Sequence, residues 1–162
     1  MSSMSKERAF AALVVAFALA LSVSCLAAVS QASGPYAAPA DKRQAISHVL
    51  ELYAQGWYEG NPSVLQQALH PDYVWRSVSV VKGKPSEVLA RSGLGALDAA
   101  DRGLGRMIPP SQRKAAITIL SLDKDVASVR LVMSDRVELL HVVLWNNAWR
   151  VIDALAETGD FK

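Results

Sequence analysis

The sequence predicts an α+β fold: about three helices packed on one face of a curved antiparallel sheet that ends in a four-strand meander. Three observations carry this expectation. Apolar residues recur at helical spacing after residue 40. From residue 115 onward, four runs rich in β-branched residues take over. Those runs are joined by short polar turns, which force antiparallel neighbours. Composition agrees. With 162 residues, 51% of them hydrophobic, the chain can build one sizeable core, and a net charge of +2 is too small for global disorder. A single cysteine, Cys25, excludes a disulfide scaffold. The balance of 17 Lys+Arg against 15 Asp+Glu gives no general case for nucleic-acid binding.

The amino terminus reads as a targeting segment. Lys6 and Arg8 precede an apolar run from Ala9 to Leu21, and small and polar residues follow as far as Ser30-Gln31-Ala32. This is the layout of a secretory signal, with cleavage expected after Ala32. The run alone is shorter than the roughly 20 residues that span a bilayer, although extending it through Val29 would give an uncleaved anchor. Cys25 offers another alternative, a lipid anchor; Ser22-Val23-Ser24 precede it, with Leu21 one place too far back for a good match. The expectation is therefore a signal peptide over 1–32, a flexible lead-in over 33–40, a domain over 41–157 and a tail over 158–162. The mature protein is expected to be periplasmic or secreted, without a membrane segment.

Within the domain, Asp41 and Gln44 read as a helix cap and its return partner. Ile46, Val49, Leu50, Tyr53 and Trp57 form one helical stripe that Gly60 ends. Asn61-Pro62 restarts a second helix, as a cap followed by proline at the first position, and Pro71 is expected to stop it after His70. Tyr73 to Val81 reads as a strand and Gly83 to Pro85 as a turn. A third, weaker helix is expected from Ser86, its end blurred by Gly93 and Gly95; Gly103 to Pro110 reads as a loop. The meander follows as Ala115–Leu122, Val126–Met133, Arg136–Trp145 and Trp149–Leu155, with turns at Asp123-Lys124-Asp125, Ser134-Asp135 and Asn146-Asn147. One face of the sheet must meet the helices, and the other needs a partner or a polar coat.

This order of elements resembles the cone-shaped nuclear transport factor 2-like fold. Tyr53 through Gly60 (YAQGWYEG), Leu69-His70-Pro71 and Arg76 resemble the opening of the family called putative lumazine-binding. Ala127-Ser128-Val129, Leu140-His141 and Trp149-Arg150-Val151 resemble its end. The resemblance covers roughly Asp41 to Glu157. Where relatives usually carry an Asp-Tyr pair before the Leu-His pair, this chain has Glu138-Leu139; where they tend to read Asn-Val-Leu-Trp, it has Asp153-Ala154-Leu155-Ala156. A pocket acid is retained in kind, while a tyrosine hydroxyl and a tryptophan ring are missing. Fold does not fix chemistry, so the ligand of a relative is not carried over.

Such a cone closes around a cavity between sheet and helices, and a binding cavity needs at least roughly 300 Å³. Seven residues are candidates for the site. Tyr53 lies on the first helix, and Trp57 either walls the cavity for a planar ligand or completes the apolar stripe. His70 either faces a ligand or caps the last carbonyls of its helix. Arg76, placed by alternation with Val74 and Val78, could clamp an anion. Asp153 alternates with Trp149, Val151 and Leu155, so it is expected on an apolar face, either as a general base or as the buried partner of Arg76 or Arg130. His141 shares a face with Val137, Leu139, Val143 and Trp145, where it is either a core histidine or a proton carrier. Glu138 points to the opposite face with Leu140, Val142 and Leu144, so Glu138 and His141 cannot share one cavity without a bulge or strong twist. Three scattered histidines give no metal site, and no motif for a cofactor is present.

The leading expectation is an exported small-molecule-binding protein with an apolar cavity, its ligand unknown, whose candidate binding residues are Tyr53, Trp57, His70, Arg76 and Glu138. One rival is a cofactor-free proton-transfer enzyme of isomerase, dehydratase or hydrolase type, as in similar cones, using Asp153 and His141. Another is a ligand-free homodimeric module that pairs through its open sheet face, where Val142 and Leu144 beside Glu138 would form a partly apolar interface.

Overall fold

The first helix, α1 (Pro39–Glu59), buries Ile46, Val49, Leu50, Tyr53 and Ala54, the stripe that its 3.6-residue period requires. These coordinates come from a computed structural model, which describes residues 39–79 and 86–158. The expected signal peptide, most of the lead-in, the turn at Gly83–Pro85 and the last four residues lie outside the described residues. Because α1 begins at Pro39, Asp41 sits in its first turn rather than at its cap, where its charge still complements the helix dipole. Gly60 ends the helix with φ +58, a left-handed conformation that glycine adopts without cost. Asn61 then caps α2 (Pro62–Ala68), accepting from the backbone N–H of Ser63 at 3.1 Å and of Val64 at 3.2 Å.

Two expectations are corrected in the next segment. The second helix ends at Ala68, and strand β1 (Leu69–Ser79) starts at once, so His70 and Pro71 belong to a strand. Proline is tolerated there because the ladder is already irregular: pairing with the last strand breaks between Leu69 and Val74. The stretch after Ser86 is first a strand, β2 (Glu87–Ser92), paired antiparallel with β1, and only then a helix, α3 (Gly93–Asp101), capped by the Ser92 hydroxyl. Short 3₁₀ turns at Leu104–Met107 and Pro110–Gln112 occupy the expected loop.

The meander is as expected: β3 (Ala115–Leu122), β4 (Val126–Met133), β5 (Arg136–Trp145) and β6 (Ala148–Thr158). Asn146 and Asn147, with φ 49 and 61, make the left-handed two-residue turn that suits a right-twisted hairpin. The six strands form one sheet in the order β2-β1-β6-β5-β4-β3, antiparallel throughout except for the parallel β1–β6 pair. Val129, Leu131, Met133, Leu140, Val142 and Val151 on its inner face meet Ile46, Leu50 and Leu65 of the helices in one core.

The ladder slips by one residue between β5 and β6: His141 pairs with Asp153, but Val142 pairs with Val151. Ile152 is the extra residue of a β-bulge. Before it, Trp149 and Val151 point inward; after it, Ala154 and Ala156 do, and Asp153 and Leu155 are turned outward. The strict alternation that placed Asp153 with Trp149 and Val151 is overturned by this insertion.

Candidate functional site

Between the concave face of the sheet and the helices lies a half-open cavity of about 230 Å³. Four aromatic rings wall it: Tyr53 and Trp57 from α1, Tyr73 and Trp75 from β1. Leu65, Ala96 and Leu104 complete the apolar lining, and Arg91, Asp135 and Arg136 supply charge. The volume falls short of the roughly 300 Å³ expected of a binding cavity, so that expectation is not met, and only a small ligand would fit.

At its base, Arg136 is the central group. Only 5% exposed, it donates from Nε to Glu138 Oε1 at 2.7 Å and from Nη1 to Asp135 Oδ2 at 3.0 Å. Its guanidinium carbon lies 4.3 Å from the centre of the Trp57 ring, a cation–π contact. Glu138, fully buried, also accepts from Trp75 Nε1 at 3.1 Å. Burial opposes the Arg136 charge, but Glu138, with Tyr53 and Asp135, outweighs it and holds the guanidinium more firmly protonated than usual. Behind this group the turn before β5 is locked: the Tyr58 hydroxyl donates to the Lys114 carbonyl at 2.6 Å and accepts from Ser134 N at 3.0 Å. Gly105 allows its own segment to close over Trp57, because a Cβ there would collide with the Trp57 carbonyl.

Tyr53 and Tyr73 share a hydrogen bond of 2.8 Å between their hydroxyls. Burial, reinforced by the nearby Glu138 charge, pushes both phenols well above their ordinary range, so both stay neutral. Among the described residues, three buried polar atoms have no partner: Trp57 Nε1, Asp135 Oδ1 and Glu138 Oε2. Two of these belong to cavity-lining residues, and such orphaned atoms are rare in folded proteins.

Of the candidates read from the sequence, Tyr53 and Trp57 line the cavity, and Glu138 stands behind its wall as the partner of Arg136. The other four lie elsewhere. His70 is buried, accepts from Asp72 N through Nδ1 at 3.1 Å and packs edge-on against Trp145, with ring centres 4.9 Å apart; it caps no helix carbonyl. Arg76 is on the outer face, because Tyr73, Trp75 and Ser77 take the inward positions of β1. His141 and Asp153 bond to each other at 2.9 Å on that outer face, so the partner of Asp153 is neither Arg76 nor Arg130. Val142 is wholly buried against the helices, so the face holding Val142, Leu144 and Glu138 is the inner one and not an open interface. Sequence reading did not select Tyr73, Trp75, Arg91, Asp135 or Arg136. Alternation around Tyr73 and Trp75 could have found the first two; Arg136 could have been found through Glu138, two positions away on the same strand face. Among the described residues, no group of three His, Cys, Asp or Glu is placed to hold a metal ion.

A curved sheet folded over helices around an aromatic cavity defines a cone of the nuclear transport factor 2-like class. The chain belongs to the family described as "Putative lumazine-binding", whose profile matches residues 41–155. No curated protein matches it. Among solved structures, it is similar to a nuclear transport factor 2-like protein of unknown function from Shewanella baltica, with 17% identity, a TM-score of 0.65, and coverage of 78% of this chain and 100% of that one. A second such protein, from Silicibacter pomeroyi, is 16% identical with a TM-score of 0.61, covering 76% and 100%. A nuclear transport factor 2-like protein from Novosphingobium aromaticivorans, described as having a cystatin-like fold, is 12% identical with a TM-score of 0.52, covering 76% and 85%. At these identities the likeness carries the fold alone.

Proposed function

We propose that this protein binds a small, flat, largely apolar molecule in the cavity walled by Tyr53, Trp57, Tyr73 and Trp75. The observation that supports this best is the state of the walls: rings fixed by hydrogen bonds and by the Arg136 stack surround space that no side chain fills. Preorganised aromatic surface lowers the entropy cost of taking up a planar ligand.

The proton-transfer reading has less support. Asp153 and His141 face away from the cavity, and the two carboxylates beside it, Glu138 and Asp135, are each held by Arg136 through one oxygen. We extend the proposal to export, on the strength of the signal-like layout of residues 1–32. We also extend it to self-association through the outer sheet face, where Leu139 and Leu155, 47% and 50% exposed, pair across β5 and β6.

The binding test uses N-phenyl-1-naphthylamine, a neutral aromatic probe whose fluorescence rises in apolar surroundings. Saturable one-to-one binding is expected, and Ala96→Phe, which fills the cavity, should abolish it while the variant still unfolds cooperatively. Absent binding, or binding indifferent to Ala96→Phe, would refute the proposal.

A further inference from the structure

We infer that the ligand of this cavity is an aromatic carboxylate and that Arg91 is the residue that selects its charge, an inference that rests on the cavity being the binding site. The argument is one of charge accounting within the cavity wall. Arg136 is matched twice over, by Glu138 at 2.7 Å and Asp135 at 3.0 Å. Arg91 lines the same cavity, and no carboxylate among the described residues pairs with it. Half-buried and without a carboxylate partner, Arg91 keeps its charge and its fork of donors available to an anion that enters the cavity.

Arg91 is also held in place. It is the cross-strand partner of Trp75, and its guanidinium carbon lies 5.2 Å from the centre of the Trp75 ring. Its stem passes over Gly95, where a Cβ would come within 2.7 Å of Arg91 Cγ, so glycine leaves the room that the stem occupies. A guanidinium held over an indole face in this way makes no hydrogen bond to the ring, so its N–H fork is left to match a carboxylate. The surplus of acid around Arg136 repels a second carboxylate. The ligand is thereby oriented, with its carboxylate at Arg91 and its ring towards Trp57.

Calorimetric titration with 2-naphthoate and its neutral isostere 2-naphthamide tests this. The naphthoate should bind at least about tenfold more tightly than the amide, the scale of a charge-assisted hydrogen bond. In Arg91→Gln that preference should collapse, while the amide affinity changes by less than about threefold. Arg91→Lys, which keeps the charge but loses the fork, should recover part of it. Should Arg91→Gln fail to fold, the wild-type preference and its decline with added salt decide the matter. Equal affinity for acid and amide, or a preference that survives in Arg91→Gln, overturns the assignment and leaves the cavity reading intact. If N-phenyl-1-naphthylamine binds and neither naphthyl compound does, the carboxylate assignment alone fails; if none of the three binds, both readings fail.

Discussion

Two polar side-chain contacts on opposite faces of strand β5 invite comparison. Arg136 and Glu138 meet at 2.7 Å on the inner face; His141 and Asp153 meet at 2.9 Å on the outer one. The distances barely differ, yet Glu138 is fully buried while His141 is 62% exposed. Coulomb attraction at such separations is weakened severalfold by water and far less by a protein interior. Partner removal therefore has unequal consequences. Outside, water resolvates the survivor; inside, the survivor is left charged and buried. Separation alone says little about what a pair does; surroundings decide whether it fixes a structure or decorates it.

The contrast should be largest for Arg136→Met. Glu138 would keep only the Trp75 N–H as a polar partner, and Trp57 would lose the cation over its ring. Breaking a buried pair in this way costs about 3–5 kcal/mol, a large part of the roughly 5–15 kcal/mol that holds a domain of this size together. The double variant Arg136→Met/Glu138→Leu should recover most of the loss, because an apolar pair of similar volume needs no desolvation. Urea unfolding measures both. A single-variant loss below about 1 kcal/mol would put the inner pair on a level with an exposed one.

Next in size is a pH effect confined to the inner side. Below about pH 10, Tyr53 and Tyr73 are protonated in both the folded and the unfolded chain, and stability does not depend on them. Above it, the unfolded chain releases protons that the folded chain retains, since both folded values are raised. Stability should then fall by about 1.4 kcal/mol per pH unit for each tyrosine. Thermal melts between pH 10 and 11.5 should show a steeper loss in the wild type than in Tyr53→Phe/Tyr73→Phe. Equal slopes would mean that these hydroxyls titrate as freely as surface phenols.

The same contrast explains what the sequence disclosed. Helix α1 and the four meander strands were legible because their apolar periods are long and their turns carry strong signals, Asn146-Asn147 above all. The placement of Glu138 opposite His141 also followed from alternation, since no irregularity separates them on β5. Asp153 was misplaced because one added residue, Ile152, shifts the phase of β6, and nothing in that residue's chemistry announces a bulge. Arg76 was misplaced for a related reason: alternation groups it with Val74 and Val78 but does not say which group faces in. Strand β2 was read as helix although its partner β1 immediately precedes it, because its own side chains are mostly exposed, which leaves no apolar period to read. The cavity cations Arg91 and Arg136 were less legible for a different reason, although Glu138 shares a strand face with Arg136 and points to it. Their roles come from stacking on Trp75 and Trp57, contacts that only the folded chain creates.

The smallest expected effect is on the outer pair, and it is also the one that can sharpen the comparison most. A double-mutant cycle on His141→Ala and Asp153→Ala should give a coupling of about 0.2–1 kcal/mol that shrinks as salt is added, as for other exposed pairs. That value holds if water covers the outer face. A second copy seated over Leu139 and Leu155 would instead exclude water from His141 and Asp153 and strengthen their attraction. The coupling should then rise with protein concentration, and Leu139→Asp should return it to the low value. Sedimentation velocity across the same concentrations separates the outcomes: a monomer at every concentration, with weak salt-sensitive coupling, removes the proposed self-association and leaves the face to solvent.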